Sequence, residues 1–362
     1  MKRLLAGALA VWVAGSAGGF GPGVATSEPA YPVDNPWAAP APSPVGEAAT
    51  AEVVYAVGGA RPPAFDWWFY TNRAGNGFFP NARRELIEYP AGAPFSWVPT
   101  FVLPGPRDYV TIGEAANQGA NNLDTAIRRG TEPAAVVGLS QGGLPLDTEQ
   151  ARLANDPTAP PPDQLQFTTF GDPVGVQGFG KGFLASIFRP GSYVPLVDYT
   201  MPQQPESQYN SNRVFAAYDG LADFPDRPDN LLALLNCALG GAIGHTPAAF
   251  IRPDQIPPQN ITSTVNSRGA TTTTYMIPVN HLPLTLPLRY LGWSDALVDQ
   301  IDAVLKPQID AAYSHDDNLF TRPTSVDPVN GMDPLATIDP NMRGSVENAF
   351  AQIRAILPPP PG

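Results

Sequence analysis

Residues Val136-Val137-Gly138-Leu139-Ser140-Gln141-Gly142-Gly143 read as an apolar, β-branched strand that runs straight into a G-x-S-x-G turn. In a strand–turn–helix of this kind the serine occupies the apex of a sharp turn, and flanking glycines lack the Cβ atoms that would collide there. The hydroxyl is then presented above the carboxyl end of the strand, as a nucleophile would be. Glycine and serine are common residues, so the meaning of the pentapeptide depends on what surrounds it.

What surrounds it is an alternation of strands and helices. Upstream, Glu52 to Val57 is a buried-type strand ending at Gly58-Gly59-Ala60-Arg61-Pro62-Pro63, and Arg84 to Tyr89 is a second strand stopped by Pro90. Ile112 to Arg129 has helical spacing, and Ala134 to Leu139 is the strand that enters the turn. Downstream, Leu144 to Leu153 continues as a helix, since Pro145 falls in the first turn where its missing N–H costs nothing. Strands follow at Leu165 to Phe170, Arg213 to Tyr218 and Thr271 to Tyr275. Helices are expected near 229–240, at Leu297 to Ala311 around Pro307, and at Ser345 to Leu357. The order predicts an α/β-hydrolase fold, a central and mostly parallel sheet flanked by helices. In such sheets the ligand lies beyond the carboxyl ends of the strands, where the Gly- and Asp-containing exits gather. The connection from Pro173 to Asn212 is long and apolar, and reads either as an irregular edge of the core or as a lid-like wall over the serine.

The 362-residue chain carries 33 acidic and 21 basic residues, a net charge of −12 that disfavours nucleic acid as a partner. A single cysteine, Cys237, excludes an intrachain disulfide and reads as a buried thiol. Met1-Lys2-Arg3 followed by the apolar run from Leu4 to Phe20, with small residues at Gly23-Val24-Ala25, has the layout of an export signal. Uncleaved, the same run approaches the length needed to anchor in a bilayer. The expected organisation is therefore an export segment or membrane anchor over 1–25, a Pro/Ala-rich linker over 26–50, a hydrolase domain over 51–315, and a C-terminal extension packing on it over 316–362.

A serine hydroxyl needs a histidine to take its proton and a carboxylate to hold that histidine in one tautomer. His245, in Gly244-His245-Thr246-Pro247 after a glycine-rich helix exit, is the favoured base; His281 is its rival, and His315 sits in a polar stretch. The acid is sought in Tyr218-Asp219-Gly220-Leu221-Ala222-Asp223-Phe224-Pro225, where Asp223 is preferred and Asp219 is the alternative, with an Asx-type turn as its other role. Asp172 and Asp198 precede the strand at 213–218 and are weaker candidates. Oxyanion donors are expected from the backbone of Gln141 and of Gly59 and Ala60. The three histidines show no paired ligand spacing, so neither a metal nor another cofactor is expected.

The stretches Gly138 to Leu146, Phe167 to Pro173, Tyr193 to Asp198 and especially Tyr218 to Pro225, together with the His245 region and Leu282-Pro283-Leu284, resemble the PE-PPE domain over roughly residues 50–315. This is an exported mycobacterial relative of the cutinase-like serine hydrolases. The helical modules that usually precede the domain are replaced here by the export segment and linker. That layout is similar to stand-alone, membrane-tethered members that act as acyltransferases in trehalose-glycolipid assembly; other members are esterases. The resemblance implies Ser140 as nucleophile, His245 as base and an acid within Asp219 to Asp223, and it agrees with a lone cysteine. Three functions are weighed: an exported serine hydrolase of acyl esters in the cell envelope, an acyltransferase using the same acyl-enzyme with a trehalose-type acceptor, and a non-catalytic lipid-binding envelope protein.

Overall fold

The computed structural model describes residues 51–358 apart from 63–66, 102–104, 106–107, 177–178, 196, 204–205, 314–321 and 339. Residues 1–50, where an export segment and a linker are expected, and His315 lie outside the described residues. The strands are β1 (Val53–Val57), β2 (Arg83–Leu86), β3 (Ala134–Leu139), β4 (Leu165–Phe170), β5 (Tyr193–Val194), β6 (Tyr199–Thr200), β7 (Ser211–Ala216), β8 (Ile261–Val265) and β9 (Thr271–Ile277). Among the described residues they form a seven-stranded sheet in the order β2-β1-β3-β4-β7-β9-β8 and a two-stranded hairpin of β5 and β6. Within the large sheet β8 alone runs antiparallel, pairing with β9; the other neighbours are parallel. This is the mostly parallel, helix-flanked sheet expected of an α/β-hydrolase.

The adjacent strands β1, β3 and β4 are buried along their whole length. Helices cover both faces, so β1 and β3 read as continuous apolar runs, whereas β4 buries Gln166, Thr168 and Thr169 among its apolar residues. On one face Leu123, Leu146, Leu153, Val136 and Phe167 pack between the sheet and the helices Ile112–Arg129 and Gly143–Leu153. On the other, Val137, Phe170, Val214 and Met276 meet the side chains of 248–256 and the end of the helix Asp295–Asp310. Each fully buried side chain of this size contributes about 1.5–3 kcal/mol. The helix Ile112–Arg129 starts at a capping box, with Thr111 Oγ1 accepting from the Glu114 N–H and the Thr111 N–H donating to Glu114 Oε2.

The strand predicted at 213–218 begins and ends two residues earlier, at Ser211 and Ala216. Tyr218 has left the sheet with φ 62°, a left-handed conformation that starts the turn toward Asp219. The described residues of the 173–212 connection follow the first of its two readings. Its Leu184, Phe188, Val194, Tyr199 and Met201 pack with Ala116 and Leu144 on the flank of the core. Cys237 is buried and its thiol is pushed up to about 12 by that burial.

Candidate active site

Ser140 follows the last residue of β3 and has φ 55°, the left-handed region that a serine enters only under constraint. The constraint comes from close packing of the turn. A Cβ on Gly142 would lie 2.2 Å from the Val57 carbonyl oxygen, so only glycine lets the turn close on the end of β1. One 3-10 turn, Ser140–Gly142, then opens the helix Gly143–Leu153. Gln141 is the second residue of that turn, at the end of the helix where backbone N–H groups have no intrahelical acceptor.

The loop after β1 approaches from the neighbouring strand. Gly59 lies against the serine: a Cβ placed on it would be 3.2 Å from Ser140 Cβ. Its peptides are held by two side chains that sequence reasoning missed. Tyr89 Oη donates to the Gly58 carbonyl at 2.6 Å, and Trp67 Nε1 donates to the Gly59 carbonyl at 2.6 Å. In a trans peptide the N–H points opposite to the carbonyl. Tying back these two carbonyls therefore fixes where the Gly59 and Ala60 N–H groups point. No motif marks Trp67 or Tyr89; both read as ordinary core aromatics.

His245 is 2% exposed and its Nδ1 lies 2.6 Å from Asp219 Oδ2. A carboxylate only accepts, so Nδ1 carries the proton and Nε2 is left as the basic nitrogen. Nε2 is buried and has no hydrogen-bond partner among the described residues. Behind the ring Gly171 has φ 65°, and a Cβ there would sit 2.4 Å from His245 Cε1. The turn after β4 is thus a flat backbone seat for the imidazole.

The two aspartates of the loop after β7 have separate tasks, and the sequence preference between them is corrected. Asp219, not Asp223, faces the imidazole. Its Oδ1 also accepts the Leu221 N–H at 2.9 Å, so the same carboxylate makes the Asx-type turn and holds His245. Asp223 folds back under the loop, where its Oδ2 accepts from the Tyr218 N–H at 2.7 Å and pairs with Arg322 at 2.9 Å. Tyr218's left-handed turn creates the difference, because it sends the residue next to it toward His245 and the one five later back under the strand end.

The remaining candidates lie apart from this constellation. His281 is buried with Nδ1 3.2 Å from Asp302 Oδ2 and 3.4 Å from Asp299 Oδ1. Asp302 in turn accepts the Leu282 N–H, so the cluster ties the loop after β9 to the helix Asp295–Asp310. Asp172 pairs with Arg213, which also binds Asp147, and its carboxyl is held up to about 8 by burial and by the Asp147 charge. Asp198 accepts from Tyr193 and Thr111 at the surface.

Ser140 and His245 open into one cavity of about 310 Å³. Gly59 and Ala60 line it beside the serine, and its walls are mainly apolar, including Trp67, Tyr70, Leu139, Ile243 and Tyr290. No described residue of the 173–212 connection reaches it. The far wall comes from the C-terminal extension, through Pro334, Leu335, Ile338, Val346 and Phe350. Ser140 and the tautomer-fixed imidazole of His245 thus face one apolar cavity beside two backbone segments, with no hydrogen bond between the serine and Nε2; these are the residue types that acyl chemistry through a covalent ester uses.

Residues 80–314 match the PE-PPE domain family. A diacyltrehalose acyltransferase, Chp2, of Mycobacterium tuberculosis is 66% identical over 342 residues, covering 92% of this chain and 94% of the relative. An SL1278 acyltransferase, Chp1, of the same organism is 42% identical over 86% of this chain and 70% of the relative. Esterase PE16, also from M. tuberculosis, is 31% identical over 68% of this chain and 47% of the relative. No solved structure matches the chain.

Proposed function

The chain belongs to the PE-PPE domain family, and on that premise we propose that it is an exported serine acyltransferase. It moves a fatty acyl group between trehalose-type glycolipids of the cell envelope, and releases free acid when water replaces the acceptor. The observation that carries this reading is the His245–Asp219 pair beside the left-handed Ser140 in one apolar cavity. Similarity to two named acyltransferases over most of the chain favours transfer over the hydrolysis that sequence alone placed first. The named esterase supports the shared acyl-enzyme chemistry.

In this mechanism Ser140 Oγ attacks the ester carbonyl of the donor while His245 Nε2 takes its proton. Asp219 stabilises the imidazolium through Nδ1 and does not itself take the proton. Developing charge on the carbonyl oxygen meets the N–H groups of Gln141 and of the Gly59–Ala60 segment. His245 then returns the proton to the leaving alcohol, which departs and leaves the acyl group on Ser140. A sugar hydroxyl enters and gives its proton to His245 as its oxygen attacks the acyl carbonyl; the bond to Ser140 Oγ then breaks, and His245 returns the proton to Ser140. How often water takes that place depends on how completely the cavity is closed.

Two measurements test the reading. A fluorophosphonate probe is expected to label the wild-type chain and to leave Ser140→Ala unlabelled, with turnover reduced at least roughly a thousandfold. Incubation with a long-chain acyl donor and a trehalose glycolipid is expected to yield acylated acceptor; free fatty acid as the sole product would exclude transfer.

A further inference from the structure

The cavity at Ser140 has two owners. One side is made by residues within 59–71, 139–140, 241–247 and 287–290, and the other by residues within 334–350, which lie C-terminal to the 80–314 match. That outer segment is fastened to the domain. Residues 325–332 run along Val279, just past β9, with the Val279 N–H donating to Ser325 O and the Met332 N–H to Pro278 O. Asp333 accepts from Arg289 Nη1 at 2.6 Å and caps the turn Pro334–Thr337 through the Leu335 N–H. From there the helix Pro340–Ile356 crosses the cavity, pinned by Arg343 Nη2 to the Ala336 carbonyl at 2.7 Å and by Arg354 Nη2 to the Tyr290 carbonyl at 3.1 Å.

Val346 and Phe350 are four residues apart, so they share the helix face that lines the cavity. Phe350 stacks edge-on against Tyr290 with ring centroids 5.2 Å apart, so a ring of the C-terminal helix meets a ring of the domain at the cavity wall. A cavity of about 150 Å³ is known to hold a six-carbon ring, so about 310 Å³ has room for roughly a dozen carbons.

We propose that the C-terminal helix Pro340–Ile356 is the chain-length gauge of the acyl site, with Phe350 as the stop against which the end of the acyl chain rests. The proposal builds on the acyl-enzyme reading of Ser140. Phe350 is specificity-determining and has no part in the chemical steps. Each further methylene that gains a buried place is worth about fourfold in binding. Removing the stop should therefore favour long chains, and enlarging it should favour short ones.

The test compares kcat/KM for p-nitrophenyl palmitate with that for p-nitrophenyl octanoate in the full-length protein and in two variants whose Tm is measured alongside. Phe350→Ala is expected to raise the palmitate-to-octanoate ratio at least about tenfold, and Phe350→Trp to lower it by a similar factor. Loss of helix packing alone would move both variants the same way, and that result, or an unchanged ratio in both, overturns the gauge. Fluorophosphonate labelling separates the two levels. A wild type that is not labelled and does not cleave either ester overturns the acyl-enzyme reading and the gauge together, whereas a labelled, active wild type with unmoved ratios overturns the gauge alone.

Discussion

At the scale of single residues, the loop Tyr218 to Asp223 separates two aspartates that look alike in sequence. Asp219→Asn keeps the size of the side chain but presents an amide to Nδ1, allowing the wrong imidazole tautomer. Activity on a soluble ester is expected to fall by roughly ten-thousandfold with Tm nearly unchanged. Asp223→Asn removes the carboxylate that pairs with the buried Arg322, so it is expected to cost about 3–5 kcal/mol of stability while kcat in the folded fraction changes little. Measuring Tm and kcat for both variants decides the matter, and a folded Asp223→Asn enzyme with Asp219-like loss of kcat would reverse the assignment. The sequence held the loop, the order of residues and both carboxylates. It did not hold the direction of each side chain, which depends on Tyr218 entering a left-handed conformation that its residue type does not announce. Arg322 was equally invisible, being 99 residues from its partner in a stretch that reads as polar and Pro-rich.

At the scale of elements, the long periodic segments were legible because burial wrote them into the sequence. β3 and β4 fall on the predicted limits, and the helix Ile112–Arg129 does as well. Less legible was β8, a half-exposed edge strand of threonine, serine and valine with little apolar pattern to detect. The short helix Trp67–Arg73 also escaped, since it is seven residues long and rich in aromatics. One contact between elements makes a pH prediction. Glu149, on the helix Gly143–Leu153, is 1% exposed, and among the described residues its carboxylate accepts no hydrogen bond, its nearest cation being Arg152 at 3.6 Å. Burial, aided by the Asp124 charge, raises its carboxyl to about 8. Between the ordinary glutamate value and about 8 the folded chain therefore keeps a proton that the unfolded chain has lost. Stability contributed by this group must then fall as pH rises through that window. Glu149→Gln carries no charge to bury, so its Tm is expected to decline less from pH 6 to pH 9 and to exceed that of wild type by at least about 3 °C at pH 9. Asp172, also held up to about 8 by burial, adds the same slope to both proteins and cancels in the comparison. Parallel Tm curves would show that Glu149 ionises normally in the fold.

At the scale of the whole molecule, the direction of β1 relates the proposed membrane tether to the chemistry. β1 runs parallel to β3, and Ser140 lies just past the carboxyl end of β3. Residue 53, where β1 begins, is therefore at the opposite end of the sheet from the cavity. Among the described residues no helix is long and apolar enough to cross a membrane; the anchor we propose is the apolar run that follows Met1-Lys2-Arg3, within residues 1–25. A domain of about 300 residues is roughly 50 Å across, and a protein held by the end far from its site needs a tether longer than that to turn the site toward lipid. Twenty-five residues of Pro- and Ala-rich linker (26–50), if extended, reach about 75–80 Å. The linker is then long enough by a modest margin, and its length rather than its sequence should matter. Cutting 26–50 to about five residues is expected to leave kcat/KM for soluble p-nitrophenyl octanoate unchanged, and to lower acyl transfer from a donor embedded in vesicles that also hold the anchored protein. Restoring the length with an unrelated Pro/Ala sequence is expected to restore transfer. Loss of both activities on shortening would mean that the linker supports the fold, and retention of both would show that the cavity reaches lipid without it.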